Sequence, residues 1–223
     1  KMDAFAAESH ANLLSAYETH HMNEVMPMID KKGKVHEKDN GARTDSTPEK
    51  LAKLRPFFDK KYGMVTAGNS SQITDGACLL LLASEDAVKQ HHLPVIGRIV
   101  DSEWAALDPT EMGLGPVHAV APICTRQGIT PADMDTFEIN EAFAAQVLAC
   151  LAAFDDETYA KEVLGLSKAL GAPLRERLNP DGGAIAAGHP IGASGARIVL
   201  HVLQTLEKNG GTRGMASICI GGG

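Results

Sequence analysis

The run Asp181-Gly182-Gly183-Ala184-Ile185-Ala186-Ala187-Gly188-His189-Pro190-Ile191-Gly192-Ala193-Ser194-Gly195 carries the chain from a segment of small residues into a helix. The first half predicts a small-residue strand. The second predicts a helix with the apolar stripe Ala196, Val199, Leu200, Leu203 and Leu206. Asn209-Gly210-Gly211 stops that helix, and residues 215–220 read as a strand that runs into three glycines. Upstream, Thr136-Phe137-Glu138-Ile139 predicts another strand leading directly into a helix over 141–153. Such alternation implies an α/β protein with a parallel or mixed sheet covered by helices. Pro190 forces an extended conformation on His189, and the glycines around it permit close backbone approach, so a ligand site is expected there. A histidine that only satisfies nearby backbone groups is the alternative, which the glycine and proline framing disfavours. His10, His20, His21, His36, His91, His92, His118 and His201 lack that framing and read as surface or packing residues.

Working towards the N-terminus, 155–178 reads as a polar surface segment with helical turns, 117–127 as a helix despite Pro122, and Gly113-Leu114-Gly115-Pro116 as a loop. Residues 95–101 predict a strand and 77–83 a strand buried on both faces, with Ser84-Glu85-Asp86 capping a helix between them. Residues 30–50 are a charged surface excursion, Thr47-Pro48-Glu49 opens a short helix, and residues 2–17 form a helix with one buried stripe.

Composition narrows the function. The 223 residues carry 21 Lys and Arg against 28 Asp and Glu, a net charge of −7 that argues against nucleic acid as the main partner. The longest apolar run is too short to span a bilayer, and Lys1 opens no signal sequence, so the reading is cytoplasmic with no transmembrane segment. Cys78, Cys124, Cys150 and Cys219 lack C-x-x-C spacing, so neither a metal site nor a disulfide framework is expected. The glycine pattern at 188–195 fits neither a P-loop nor a Rossmann fingerprint. Asn69-Ser70-Ser71 matches a glycosylation sequon, read as chance. Cys219 stands where free N–H groups can point at an oxyanion; the alternative is a buried small hydrophobe, the reading kept for the other three cysteines. Asn140 sits at a strand-to-helix junction, where spacing alone favours an N-cap.

Taken together, Asn140-Glu141-Ala142-Phe143, Gly188-His189-Pro190-Ile191-Gly192 and Cys219-Ile220-Gly221-Gly222 resemble three catalytic signatures of the thiolase family, in its order and at about its separations. Lys53-Leu54-Arg55-Pro56-Phe57, Val65 through Ser71 and Asp75-Gly76-Ala77 are similar to further family segments. Tyr62 and 155–178 look most like the fatty-acid β-oxidation branch. The resemblance implies the later portion of a thiolase-like layered αβαβα fold. Residues 1–75 would be the end of the N-terminal region with the CoA-binding loop, and 76–223 a C-terminal domain cut at its last strand. It implies an acyl-CoA C-acyltransferase that cleaves 3-ketoacyl-CoA with CoA, or runs the reverse condensation, with coenzyme A as substrate and no permanent cofactor or metal. His189 would be the base for a nucleophilic cysteine and a donor to the thioester oxygen. Asn140 would hold a water in that oxyanion hole, Cys219 would shuttle a proton, and the Gly221 N–H would serve the second hole. Ser71, Ala67 and Gly68 would line the pantetheine tunnel, with Met112 and Phe143 near the acyl end and Arg43 near the nucleotide end of CoA, or simply a solvated charge.

The family's acylated cysteine lies in an N-terminal half to which nothing here is matched, so none of the four cysteines is assigned as nucleophile. Both ends of the chain read as cuts. The resemblance also implies a homodimer or tetramer and allows a hydratase/dehydrogenase partner subunit. A non-catalytic CoA- or lipid-binding module and a hydrolase pairing Cys219 with His189 are the rival readings.

Overall fold

The computed structural model describes residues 1–221. Helix α1 (Met2–Glu18) has no side-chain cap and buries Phe5, Ala6, Ser9, His10, Leu13 and Ala16, so the inward stripe includes the polar Ser9 and His10. An exposed excursion follows. Strands β1 (Met28–Ile29) and β2 (Val35–His36) pair antiparallel, and α2 (Pro48–Leu51) starts where the Thr47 hydroxyl accepts the Lys50 N–H at 3.3 Å. A 3₁₀ turn at Ala67–Asn69 carries a capping box between Thr66 and Asn69. The Asn69 amide donates to Asp3 Oδ1 and to the Met64 carbonyl, so the sequon asparagine is buried structure.

Two predicted strands do not form. Over 77–83 and 95–101 the chain forms no strand and no ladder bonds, and Leu79, Leu81 and Leu82 are 92%, 86% and 71% exposed. Between them α3 (Glu85–His91) forms as expected: the Ser84 hydroxyl accepts the Ala87 N–H, and Lys89 pairs with Glu85. The contrast is physical, because a helix closes its hydrogen bonds locally whereas a strand needs a neighbouring strand, and these two have none among the described residues.

The expected loop at 113–116 is a 3₁₀ turn (Pro109–Leu114) that runs into α4 (Gly115–Gln127), with Pro116 in its first turn and Pro122 accommodated inside. Strand β3 (Thr136–Ile139) is wholly buried. Helices α5 (Ala144–Asp155) and α6 (Glu157–Glu162) follow, so Glu141 to Phe143 is a non-helical link rather than the start of a helix. The single turn α7 (Ala184–Ala187) replaces the predicted small-residue strand. Helix α8 (Ile191–Asn209) ends at Gly210, whose φ of 65° suits glycine and whose N–H bonds the Leu206 carbonyl. Strand β4 (Gly214–Ser217), shorter than predicted, pairs parallel with β3, Thr136 opposite Gly214 and Ile139 opposite Ser217.

Alternation along β3 builds three layers. Phe137 and Ile139 face Val117, Val120 and Cys124 of α4, Val147, Cys150 and Phe154 of α5, and Phe5 and Ala6 of α1. Thr136 and Glu138 face α8. The buried face of α8 is Ala193, Ser194, Ile198, His201, Val202 and Thr205, not the predicted stripe. That stripe is half-buried on a second side, where Leu203 meets Gly97 and Leu206 meets Gly211.

Candidate active site

Parallel pairing continues past the strands: the Asn140 N–H donates to the Ser217 carbonyl at 2.9 Å, which sets Asn140 at the carboxyl end of β3 beside the end of β4. Asn140 is buried and is not an N-cap. Its Nδ2 lies 3.3 Å from His189 Nε2, while its Oδ1 is buried with no protein partner. A buried acceptor left open next to an imidazole is where a water or ligand donor is accommodated.

His189 is held from three sides. Its N–H donates to the Gln72 carbonyl at 3.0 Å, its Nδ1 lies 2.7 Å from the Ser194 hydroxyl, and Nε2 meets Asn140. Gly188 makes this placement possible: its φ is 103°, and a Cβ there would lie 2.4 Å from Thr74 Oγ1. Burial, and then the charge of Arg197, lower the His189 pKa, so the imidazole is a neutral base at neutral pH.

Glu141, which the sequence did not single out, ties the two loops together. Its Oε2 accepts the Ser9 hydroxyl at 2.6 Å and the Ile185 N–H at 3.2 Å, and its Oε1 accepts the Asn179 amide at 2.9 Å. Burial raises its pKa, opposed by the bonds from Ser9 and Asn179. A Cβ on Gly183 would lie 2.4 Å from its Cδ. Asn179, at φ 44°, also caps the free edge of β3, accepting the Ile139 N–H and donating to the Ile139 carbonyl.

Cys219 follows Ser217 by two residues, is 8% exposed and packs against Gly115. Burial raises its thiol pKa. It makes no hydrogen bond to His189 or Asn140 among the described residues, and Gly221 is exposed, with open space where a Cβ would stand. The other thiols are also raised by burial, Cys124 to about 11, Cys150 to about 12, and Cys78 as well.

The remaining expected residues spread around this centre. The Ser71 N–H donates to the Ala142 carbonyl at 2.9 Å and Ser70 bridges Phe143, so that segment lies directly on the Asn140 loop. Phe143 is half-buried, edge-on to Phe58 with ring centroids 6.2 Å apart. Met112 is half-buried in the turn that packs on α5. Ala67 is exposed, and Gly68 sits against Leu51 and Leu54. Arg43 is exposed, its backbone N–H bonded to His10 Nδ1 at 3.2 Å.

His201, read as a packing residue, is a buried cation. Burial alone would lower its pKa, but an ion-pair contact with Asp181 at 3.4 Å and a hydrogen bond with Glu24 raise it to about 9. His21 contacts the other oxygen of Asp181 at 3.4 Å.

This geometry, two loops converging at the ends of adjacent parallel strands, defines a class. The family models described as "Thiolase, N-terminal domain" and "Thiolase, C-terminal domain" match residues 1–86 and 93–223. The chain belongs to the thiolase family. The match over 1–86 overturns, to that extent, the expectation that nothing here corresponds to the N-terminal half. The chain is 41% identical over 225 residues to the mitochondrial 3-ketoacyl-CoA thiolase of Homo sapiens, covering 99% of this chain and 52% of that protein. It is 40% identical over 224 residues to a 3-ketoacyl-CoA thiolase of Yersinia enterocolitica, covering 99% and 51%.

Among solved structures, the Bacillus anthracis acetyl-CoA acetyltransferase superposes with a TM-score of 0.85 at 38% identity, covering all of this chain and 53% of that one. Human mitochondrial 3-ketoacyl-CoA thiolase in complex with CoA gives 0.83 at 37%, covering 100% and 52%. The dimeric peroxisomal thiolase of Saccharomyces cerevisiae gives 0.80 at 36%, covering 99% and 51%. The fold is the α/β thiolase fold, and the chain spans about half the length of the curated relatives it matches.

Proposed function

We propose that this chain forms part of an acyl-CoA C-acyltransferase that cleaves 3-ketoacyl-CoA with CoA to acyl-CoA and acetyl-CoA, or runs the reverse Claisen condensation, in fatty-acid β-oxidation. The observation that carries the reading is the His189 imidazole held 3.3 Å from the Asn140 amide, at the end of a strand whose parallel neighbour leads to Cys219. Residues 1–75 contribute the end of the N-terminal region with the CoA loop, and 76–223 the C-terminal domain.

His189 Nε2 takes the proton of a nucleophilic cysteine outside this set of four, whose thiolate attacks the 3-keto carbon. Breaking the bond between C2 and C3 leaves an acyl-cysteine and an acetyl-CoA enolate, which Cys219 protonates. Cys219 then recovers a proton from the incoming CoA thiol, and the CoA thiolate releases the acyl group. Asn140 Oδ1, buried and open, holds a water whose other proton points at the thioester oxygen, beside the proton carried by His189 Nε2. The Gly221 N–H faces the oxyanion formed on the acyl group. Ser71, Ala67, Gly68 and Arg43 border the path of CoA, and Met112 and Phe143 its acyl end.

The relatives' printed names support the substrate class, the yeast enzyme's dimer supports a homo-oligomer, and the bacterial relative fits a cytoplasmic setting. A hydratase/dehydrogenase partner subunit is compatible with this role. Among the described residues, no helix is long and apolar enough to cross a membrane.

The test is thiolysis of acetoacetyl-CoA and longer ketoacyl-CoA by the intact protein. Changing His189 or Cys219 to alanine is expected to lower kcat by about a hundredfold or more; normal turnover by either variant contradicts the proposal. Acyl-CoA binding with no turnover by the unmodified protein would instead favour the non-catalytic module, a reading motivated by the lack of an assigned nucleophile among the four cysteines of this chain.

A further inference from the structure

Ser194 lies in the first turn of α8 with no solvent exposure, so its hydroxyl has only its protein neighbours to bond. Two are in reach: His189 Nδ1 at 2.7 Å and the Pro190 carbonyl at 3.1 Å. That carbonyl also receives the backbone N–H groups of Ala193 and Ser194, the shared acceptor usual for a helical serine bonding back by one turn. A hydroxyl carries one proton and a carbonyl can only accept. Directing that proton to Pro190 leaves the serine oxygen to accept from Nδ1–H.

The opposite side of the ring points the same way. Nε2 faces Asn140 Nδ2, which can only donate, so a proton on Nε2 would set two donors against each other.

We propose that Ser194 is a positioning residue that fixes His189 as the Nδ1–H tautomer and thereby leaves the Nε2 lone pair free to take a proton. In water, histidine prefers the other tautomer, which would present a proton where the reaction needs a base. The inference deepens the proposed function, since it concerns the imidazole assigned there as base. It depends on α8 bringing position 194 back over Pro190, a geometry set by the helix start at residue 191.

The experiment follows the side-chain nitrogen-15 shifts of neutral His189 in the intact protein, assigned by the signals lost in His189→Gln, together with steady-state thiolysis. Unmodified protein is expected to show a protonated Nδ1 and an unprotonated Nε2. Ser194→Ala, which keeps a good helix former in place, should move the signals towards Nε2–H. It should also lower kcat about 10- to 100-fold with KM for the acyl-CoA within about twofold. Ser194→Thr, which keeps the hydroxyl, should restore the tautomer and most of the turnover.

A His189 already in the Nε2–H form, or one whose tautomer is unmoved by Ser194→Ala, overturns the proposal even if activity falls. An unchanged kcat in Ser194→Ala overturns it too. Absence of thiolysis in the unmodified protein would refute the proposed function, while the nitrogen shifts still decide what Ser194 does to His189.

Discussion

Removing the Glu141 carboxylate should loosen both loops of the site at once. In Glu141→Ala, the Ser9 hydroxyl, the Asn179 amide and the Ile185 N–H each lose their acceptor inside a core from which water is excluded. A buried donor left unpaired costs about 1–3 kcal/mol. Three of them, with the cavity left by the side chain, exceed the gain from no longer burying a charge, and the expected net loss is about 3–5 kcal/mol.

Glu141→Gln keeps the shape and one acceptor oxygen. Turning that oxygen to Ser9 and Ile185 leaves its amide facing the Asn179 amide, donor against donor, and the expected loss is smaller, about 1–3 kcal/mol. Urea unfolding of the intact protein measures both, and hydrogen exchange at Ile185 localises the effect, since that amide should exchange faster in the alanine variant. A loss below about 1 kcal/mol in Glu141→Ala, or glutamine costing as much as alanine, would refute the reasoning.

Gly188→Ala should lower both kcat and stability, because φ 103° is strained for alanine and its Cβ would lie 2.4 Å from Thr74 Oγ1. Combining it with Thr74→Ala relieves the collision but not the backbone strain, so kinetics and unfolding of the double variant should recover only in part. The buried His201 predicts a pH dependence. Its folded pKa of about 9 lies above the ordinary 6.5, so its contribution to stability is fully present below pH 6.5 and is lost as pH rises through about 9. His201→Gln should flatten unfolding measured across that window; an unchanged slope contradicts the ion cluster of His201 with Glu24 and Asp181, which Arg197 and Glu138 also face, Glu138 itself pushed up to about 7 by burial.

Local chemistry made much of the fold legible in advance. The caps at Thr47, Ser84 and Gly210, the strand Thr136–Ile139, the extent of α1, the start of α3 and the end of α8 follow from neighbouring residues alone. Residues 77–83 and 95–101 read as strands because apolar β-branched and leucine-rich runs signal burial, while pairing depends on a partner that the run itself cannot reveal. The turn at Ala184–Ala187 looks like a strand by composition, yet the Glu141 carboxylate takes the Ile185 N–H and the Gly188 N–H closes back on the Ala184 carbonyl.

Within the site, the family resemblance sets His189 and Asn140 around one oxyanion hole, and the structure brings their side chains to 3.3 Å. Glu141 carries no such signal in the sequence, because its partner Ser9 is 132 residues away. Ser194 had a local signal, a hydroxyl four residues after a helix-opening proline, whose meaning appears only once the imidazole is placed beside it.

The proposed catalytic roles of His189, Asn140 and Cys219 are tested most directly by mass spectrometry of the intact protein incubated with acyl-CoA. The acyl group should appear on a cysteine other than Cys78, Cys124, Cys150 and Cys219. That acylation should persist in Cys219→Ala and be lost in His189→Ala. An acyl group found on Cys219, or acylation that survives loss of the His189 imidazole, would contradict the assignment.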